Sequence, residues 1–143
     1  MLWKTITMLT GSGNMNWNES QGWKIVEGNF CVVVKHWLQP CGDRPPNRWN
    51  VYAYIYPKHT LFDKFDNAYD DVCSSLPMHG GVTYFQKHVD NDGKPASIEI
   101  GCDYGHLGDD RYSEYATKED ATSVFSDAEE LIECLKMKDK DAN

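Results

Sequence analysis

The sequence lacks a long hydrophobic run and any closely spaced pair of cysteines, and we expect it to carry no secretory leader. Its longest apolar stretches are much shorter than the roughly 20 residues that cross a bilayer. The opening MLWKTITMLTGSGN is too polar for the apolar region of a signal peptide. The five cysteines are far apart and form no CxxC pair. We therefore expect an intracellular protein that has reduced thiols and no membrane contact.

Basic residues are also scarce, with 14 Lys and Arg against 22 Asp and Glu and a net charge of -8. General binding to nucleic acid depends on clustered Lys and Arg that contact phosphates. The composition therefore argues against a general nucleic-acid-binding protein. An acidic surface instead favours solubility, basic protein partners or mimicry of nucleic acid.

The composition is nevertheless that of a folded chain. At 143 residues it has the size of one domain, and aromatic residues, which bury large areas, make up 13%. We expect a single domain over residues 1–143 whose last residues, 136–143, form a solvated tail. Gly11-Ser12-Gly13-Asn14 is a turn signal.

Alternating and β-branched stretches predict strands in the first three quarters of the chain. They are Trp3 to Leu9, two strands within Trp23 to Trp37 around a Gly-Asn turn, Trp49 to Tyr56, Gly81 to His88, and Ser97 to Tyr104. The last two read as a hairpin that turns at Asp90-Asn91-Asp92-Gly93. This turn resembles the start of a calcium loop, but no glutamate closes it.

The C-terminal part changes to helical periodicity, with apolar residues at three- and four-residue steps from Ala121 to Leu135. Thr117 is a possible N-cap, and Ser126 with Glu129 is a possible capping box, so one helix or two are possible. Strands first and a helix last predict an α+β fold, an antiparallel sheet with a C-terminal helix packed on one face.

Two glycine-flanked segments carry the candidate functional residues. The first is Met78 to Tyr84 (MHGGVTY) and the second is Gly101 to Asp110 (GCDYGHLGDD). If they end adjacent strands, their side chains converge at one end of the sheet. The candidate ligand-binding residues are His59, His79, Gly80, Gly81, Asp103, His106 and Asp109, with Asp110 as an alternative to Asp109.

Three interpretations of this cluster remain open. His and Asp are ligands for zinc, iron or manganese, so His79, Asp103 and His106 are candidate ligands for a divalent metal. A His–Asp pair can also act in acid–base chemistry without a cofactor, in which case the same residues are catalytic candidates. Finally, a histidine beside a glycine turn often only bonds a backbone carbonyl. Cys102 neighbours the cluster, but on a strand it points to the opposite face from Asp103.

Tyr52, Tyr54 and Tyr56 form an aromatic stripe on one strand. Such a stripe can stack on a base or a nucleotide. Packing of the sheet under the C-terminal helix explains it equally well.

Residues 49–136 resemble a family of small bacteriophage-encoded proteins. The resemblance rests on Pro57-Lys58-His59-Thr60-Leu61, on His79-Gly80-Gly81-Val82-Thr83-Tyr84, and on the stretch from Gly101 to Asp109, similar to the family pattern GxDxxHxGD. In the first segment, Lys58 and Thr60 replace a glycine and a proline of the pattern.

The resemblance implies phage origin and action in the bacterial host cytoplasm, but no particular activity. We expect an accessory protein that acts by binding a host protein or a small nucleotide signal, in host takeover or in evasion of a defence system. The alternative is a small metal-assisted hydrolase that uses His79, Asp103 and His106. A structural protein that self-associates is the third possibility. Whether the chain is an enzyme thus stays open.

Overall fold

The computed structural model describes residues 1–10 and 18–140, without the side chains of residues 7–10, 18 and 19. The turn expected at Gly11-Ser12-Gly13-Asn14 lies outside this description. Six strands form one antiparallel sheet in the order β1-β2-β3-β4-β6-β5. They are β1 (Lys4–Thr10), β2 (Asn18–Val26), β3 (Phe30–Leu38), β4 (Asn47–Ile55), β5 (Tyr84–Val89) and β6 (Pro95–Asp103).

The helical parts are α1 (Asp71–Ser74), α2 (Thr122–Met137) and two 3-10 turns, Phe62–Lys64 and Asp110–Glu114. Helix α2 packs against the sheet, mainly on β3 and β4. The predicted α+β fold with a C-terminal helix on an antiparallel sheet is therefore confirmed. Ser126 lies inside α2, so the apolar stripe belongs to one helix, and the Thr117 hydroxyl accepts the Asp120 N–H in the turn before it.

Burial alternates along β4, and this alternation defines the two faces of the sheet. Trp49 is buried against Phe125 of α2 and stacks on Trp23 of β2. Tyr52 and Tyr54 occupy the alternate positions on the same strand and therefore point away from α2. Packing under the helix is thus the wrong explanation for these two tyrosines.

The hairpin of β5 and β6 forms as predicted, and its turn is organised by Asp90. The Asp90 carboxylate accepts the backbone N–H groups of Asp92 and Lys94 at 2.8 and 2.9 Å. Gly93 has φ +78°, a conformation that glycine adopts without strain. The two strands then pair from Tyr84 opposite Gly101 to Val89 opposite Pro95.

The residues after α2 differ from the solvated tail expected from residue 136. The helix continues through Met137, and Asp139 is buried. Its carboxylate accepts the Asn29 amide at 2.7 Å and the Thr60 backbone N–H and hydroxyl at 3.3 Å. The chain is thus fixed to the segments that join β2 to β3 and follow β4 at least as far as residue 140, whose backbone N–H donates to the Thr60 hydroxyl.

Candidate functional site

The topology of the sheet brings the two glycine-flanked segments to one end. Strands β5 and β6 are antiparallel, with Tyr84 opposite Gly101, so the segment before β5 and the segment after β6 meet. The start of β4 lies at the same end, since Asn50 pairs with Asp103. The predicted convergence of the two segments at one end of the sheet is therefore what the structure has, and it brings His79, His106 and Asp109 together.

His79 and Asp109 form the closest contact of the site. The His79 Nε2 atom lies 2.9 Å from Oδ1 and 3.0 Å from Oδ2 of Asp109. The same carboxylate accepts the His106 backbone N–H at 3.0 Å. Asp109 is buried, with 9% of its surface exposed. Its negative charge is therefore stabilised by these hydrogen-bond donors and little by water. This arrangement fixes both the carboxylate and the loop that carries it.

The pKa of Asp109 is lowered from its usual value as a result. Burial by itself raises the pKa, because it penalises the charged carboxylate. The hydrogen bond from His79 and the His106 backbone N–H act against burial, and the two nearby imidazoles add to their effect. These contacts outweigh the burial, so Asp109 is an anion at neutral pH.

The His106 Nδ1 atom is buried, and no residue in the described part of the chain is its hydrogen-bond partner. It lies 3.4 Å from Asp103 Oδ1 and 3.5 Å from Asp109 Oδ2, although the His106 side chain as a whole is 36% exposed. A buried polar atom that lacks a partner is rare in folded proteins. An imidazole nitrogen this close to two carboxylates can share a proton or a cation with them.

Together, His79, His106 and Asp109 could hold a metal ion. One ligand atom from each lies within 4.8 Å of the other two. Ligand atoms in a tetrahedral zinc site are about 3.3–3.6 Å apart, since each lies about 2.0–2.2 Å from the ion. His79 Nε2 and His106 Nδ1 lie 2.9 and 3.5 Å from oxygens of Asp109, which is close to that spacing.

Asp103 is not a member of this group, although the sequence placed it among the candidate metal ligands. Its carboxylate accepts the Gly105 N–H at 2.9 Å and lies 3.5 Å from the Thr83 hydroxyl. It points along the face away from α2, where its side chain is 45% exposed. The buried carboxylate between the two histidines is that of Asp109.

Gly80 and Gly81 shape the segment that carries His79. They have φ +69° and +86°, in the left-handed region that favours glycine. A Cβ at Gly80 would lie 2.9 Å from Cε1 of His106, whereas one at Gly81 would meet nothing within 4 Å. The absence of a side chain at Gly80 therefore allows the His106 ring to pack against the backbone of this segment.

His59 lies at the opposite end of the sheet, and its predicted membership of the cluster is wrong. β4 runs antiparallel to β6, so the chain leaves β4 next to the start of β6, where Ile55 pairs with Ile98. His59 is 3% exposed there. Its Nδ1 accepts the Leu61 N–H at 3.0 Å, so its Nε2, 3.0 Å from the Leu135 carbonyl, carries the proton and donates. This is a structural histidine.

Two tyrosines form a wall of the site that the sequence did not reveal. The Tyr104 ring stacks on His79 at 4.2 Å with a 14° angle between the planes, and the Tyr112 ring meets His79 edge-on at 5.3 Å. The Tyr104 hydroxyl donates to Asp127 of α2 at 2.7 Å. Burial first, and then this bond to a carboxylate, raise the pKa of Tyr104. No local pattern marks these contacts, because they depend on the packing of the last helix.

A pocket of about 120 Å³ opens beside His106 and Asp109. Its other walls are Arg44, Asn47, Arg48, Tyr104, Gly105, Asp110 and Ser113. Arg48 donates to the Pro45 and Asn47 carbonyls, so its guanidinium is fixed at the rim. The sequence offered one signal for this wall, two arginines only four residues apart in an acidic chain.

Cys102 is not part of the site chemistry. It is 3% exposed and belongs to the hydrophobic core, as its strand position predicted. Burial raises the pKa of its thiol to about 12, so it is not a nucleophilic thiolate at neutral pH.

Comparison with known proteins adds no assignment: no family model, curated protein or solved structure matches the chain. Within residues 1–10 and 18–140, no helix combines the length and apolar character needed to cross a membrane.

Proposed function

We propose that this protein binds a divalent transition metal ion through His79, His106 and Asp109 and uses it to hydrolyse a small anionic substrate. The observation that carries the proposal is the buried His106 Nδ1, which has no hydrogen-bond partner among the described residues and lies 3.5 Å from Asp109 Oδ2, in a group whose ligand atoms are within 4.8 Å of one another. Two imidazoles and a carboxylate are a donor set typical of zinc, iron and manganese sites. A cation there would give Nδ1 the partner that it lacks.

The adjoining pocket supports the hydrolytic part of the proposal. Three protein ligands leave a coordination position for water, whose pKa a bound metal lowers towards neutrality. Arg44 and Arg48 line the pocket beside that position and can attract an anionic group of the substrate. Tyr104 and Tyr112 keep His79 in place by packing on its ring.

Metal binding is tested by elemental analysis of the purified protein and by calorimetric titration of the metal-free protein with Zn²⁺ and Mn²⁺. We expect one ion per chain, and loss of at least about tenfold in affinity in His79→Ala, His106→Ala and Asp109→Asn. His88→Ala is the matched control, because His88 pairs with Glu99 on the face of the sheet that points away from α2. Wild-type protein that takes up neither ion would contradict the proposal.

Hydrolysis is tested separately with p-nitrophenyl phosphate and its diester analogue, in the presence of the metal that binds. We expect turnover that is lost in Asp109→Asn and kept in His88→Ala. Stoichiometric metal without turnover of either ester would leave the metal site standing and contradict hydrolysis of phosphate esters.

A second candidate function is that of a bacteriophage accessory protein, which binds a host protein or a nucleotide signal in the host cytoplasm. Leu107 favours it, since this apolar side chain is fully exposed beside His106. Gly108 follows it with φ +92°, in the left-handed region that favours glycine. Leu107 is the candidate contact residue because it directly follows His106, which lines the pocket.

The second candidate is tested by isolating a partner from host lysate, identifying it and measuring its binding to Leu107→Asp. We expect at least about a tenfold loss of affinity, because a charged group replaces the apolar contact. Val89→Asp is the matched control, since Val89 is also exposed but lies in the β5–β6 hairpin. Equal losses in both variants, or none, would count against this surface.

A further inference from the structure

The face of the sheet that points away from α2 is a second surface with its own chemistry. We call it the open face and define it by the outward-pointing strand residues Lys4, Lys24, Lys35, Arg48, Tyr52, Tyr54, Tyr84, His88, Glu99 and Asp103. The segment between β4 and β5 packs on the other face, because Phe62, Phe65 and Cys73 belong to the same core cluster as Val124 and Leu131 of α2. The defining side chains of the open face are half-buried or exposed, with the exception of Glu99; Ser20 and Cys31, which occupy the same face in β2 and β3, are buried as well.

Charge on the open face has the opposite balance from that of the chain. It carries Lys4, Lys24, Lys35 and Arg48 but only two acids, Glu99 and Asp103, whereas the chain has 14 basic and 22 acidic residues. One of the two acids is engaged, since Glu99 accepts from His88 at 2.8 Å and from the Tyr54 hydroxyl at 3.0 Å. The acidic excess therefore lies on the other surfaces of the molecule.

The cations of the open face are far enough from the acidic residues of the other surfaces to act independently of them. A sheet with a packed layer of helix is more than about 10 Å thick, and charges are screened over about 8 Å at physiological salt. An anion at the open face therefore responds to the lysines beside it more than to the net charge of -8. The overall acidity does not exclude an anionic ligand at this face.

Aromatic rings are held in fixed positions on the same face of the sheet as these cations. The strand register places Lys4, Lys24, Val33, Tyr52, Gly101 and Tyr84 in one row across the sheet. The Tyr52 ring lies on Gly101, where a Cβ would come within 2.6 Å of it, and the Tyr84 ring stands edge-on to Tyr52 at 5.8 Å. Gly101 thus leaves room for a ring to lie on the sheet surface.

Hydrogen bonds to their hydroxyl groups hold the tyrosines further. The Tyr52 hydroxyl accepts the Asn50 amide at 2.7 Å, and the Tyr54 hydroxyl donates to Glu99. The Tyr54 ring is also stacked with that of His88, 24° from parallel. Burial raises the pKa of both tyrosines, so the rings are neutral at physiological pH. Rings whose polar ends are already bonded lose little freedom when a flat ligand stacks on them.

We propose that the open face binds single-stranded nucleic acid, with bases stacked on Tyr52, Tyr54 and Tyr84 and phosphates held by Lys24 and Lys35. Anionic phosphates alternating with flat bases match this combination of cations and rings. A duplex does not match, because its base faces are stacked on one another and closed to the tyrosines. The proposal does not use the candidate metal ligands His79, His106 and Asp109, which lie at one end of the sheet, although Arg48 belongs to both surfaces.

The test is fluorescence anisotropy with a labelled oligothymidylate of about 15 nucleotides, within the usual range of site sizes for single-strand binders. In about 50 mM salt we expect binding that weakens as salt rises, and at least about a tenfold loss in the double variant Lys24→Glu/Lys35→Glu. Tyr84→Ala should lose about fivefold or more, since one stacked base contributes about 1–3 kcal/mol. Thermal melting checks that each variant is folded.

The matched control is Lys58→Glu/Lys64→Glu, which changes the net charge equally at two exposed lysines outside the open face. It should bind the oligonucleotide within about twofold of the wild type if local charge governs binding. The proposal is overturned if the wild type does not bind, or if the control loses as much affinity as the open-face variant. Equal affinity for a duplex of the same length, or equal competition by polyglutamate, would likewise overturn it.

Discussion

Gly80 lies against the imidazole of His106, so close that a methyl group at position 80 would come within 2.9 Å of its Cε1 atom. His79, which precedes Gly80, forms a hydrogen bond with the Asp109 carboxylate, and the same carboxylate accepts the His106 backbone N–H. One small residue thus allows two segments, distant in the sequence, to share Asp109. The relationship explains why a glycine is needed here beyond its role in a turn.

Gly80→Ala should therefore disturb both the fold and the site. We expect a loss of about 1–3 kcal/mol in the free energy of unfolding, from the φ of +69° and from displacement of the His106 ring. Metal affinity should fall with it, because His106 moves. Urea denaturation and calorimetric titration measure the two effects. Gly28→Ala is the control, because nothing lies within 4 Å of the added methyl group; comparable losses there would contradict the explanation.

The lowered pKa of Asp109 predicts how stability depends on pH. A carboxyl whose folded pKa lies below its unfolded value of about 3.9 stabilises the fold above that value. This contribution is lost as the pH falls through the folded pKa. The stability difference between the wild type and Asp109→Asn should thus shrink below about pH 4.

Urea denaturation of both proteins at several pH values measures that difference. Asp110→Asn removes the same charge from the same loop and controls for net charge, since no side-chain bond of Asp110 is present in the described part of the chain. A difference that stays constant down to about pH 2 would show that Asp109 is not stabilised as an anion.

His59→Leu should destabilise the fold without affecting metal binding. The variant leaves the Leu61 N–H and the Leu135 carbonyl without their buried partner, and each such loss costs about 1–3 kcal/mol. Metal affinity should stay within about twofold of the wild type, because His59 is at the far end of the sheet. His88→Leu, at a half-exposed histidine, should be milder. Reduced metal affinity in a folded His59→Leu protein would contradict the placement of His59 outside the metal site.

Asp139→Ala should show that the chain after α2 is structural. The variant removes the acceptor for the Asn29 amide and the Thr60 backbone, and we expect a loss of about 1–3 kcal/mol. The control is Asp120→Ala, an exposed aspartate in the turn before the helix. Thermal or urea unfolding would compare them; equal, small effects would mean that this part of the chain behaves as a solvated tail.

The sequence by itself determined the strands and the C-terminal helix of this fold, although not α1 or the 3-10 turns. Alternation along Trp49 to Tyr56 and the three- and four-residue steps from Ala121 to Leu135 are local properties, which the covalent geometry of strands and helices makes readable. The hairpin of β5 and β6 followed from one short turn at Asp90. The convergence of His79 with His106 followed in turn, because a hairpin fixes which segment ends meet.

Only the tertiary structure decided which side chains join the site. The predicted position of His59 was wrong because neither strand sequence reveals the direction of β4 relative to β6. The two strands are antiparallel, so the chain leaves β4 at the far end of the sheet. Asp109 replaced Asp103 because their order in a loop does not reveal which carboxylate turns inward. The open face was hidden in the same way: net charge sums over the chain, whereas strand register sorts lysines and tyrosines onto one side. Contacts between distant residues depend on strand order and direction, which local patterns do not encode.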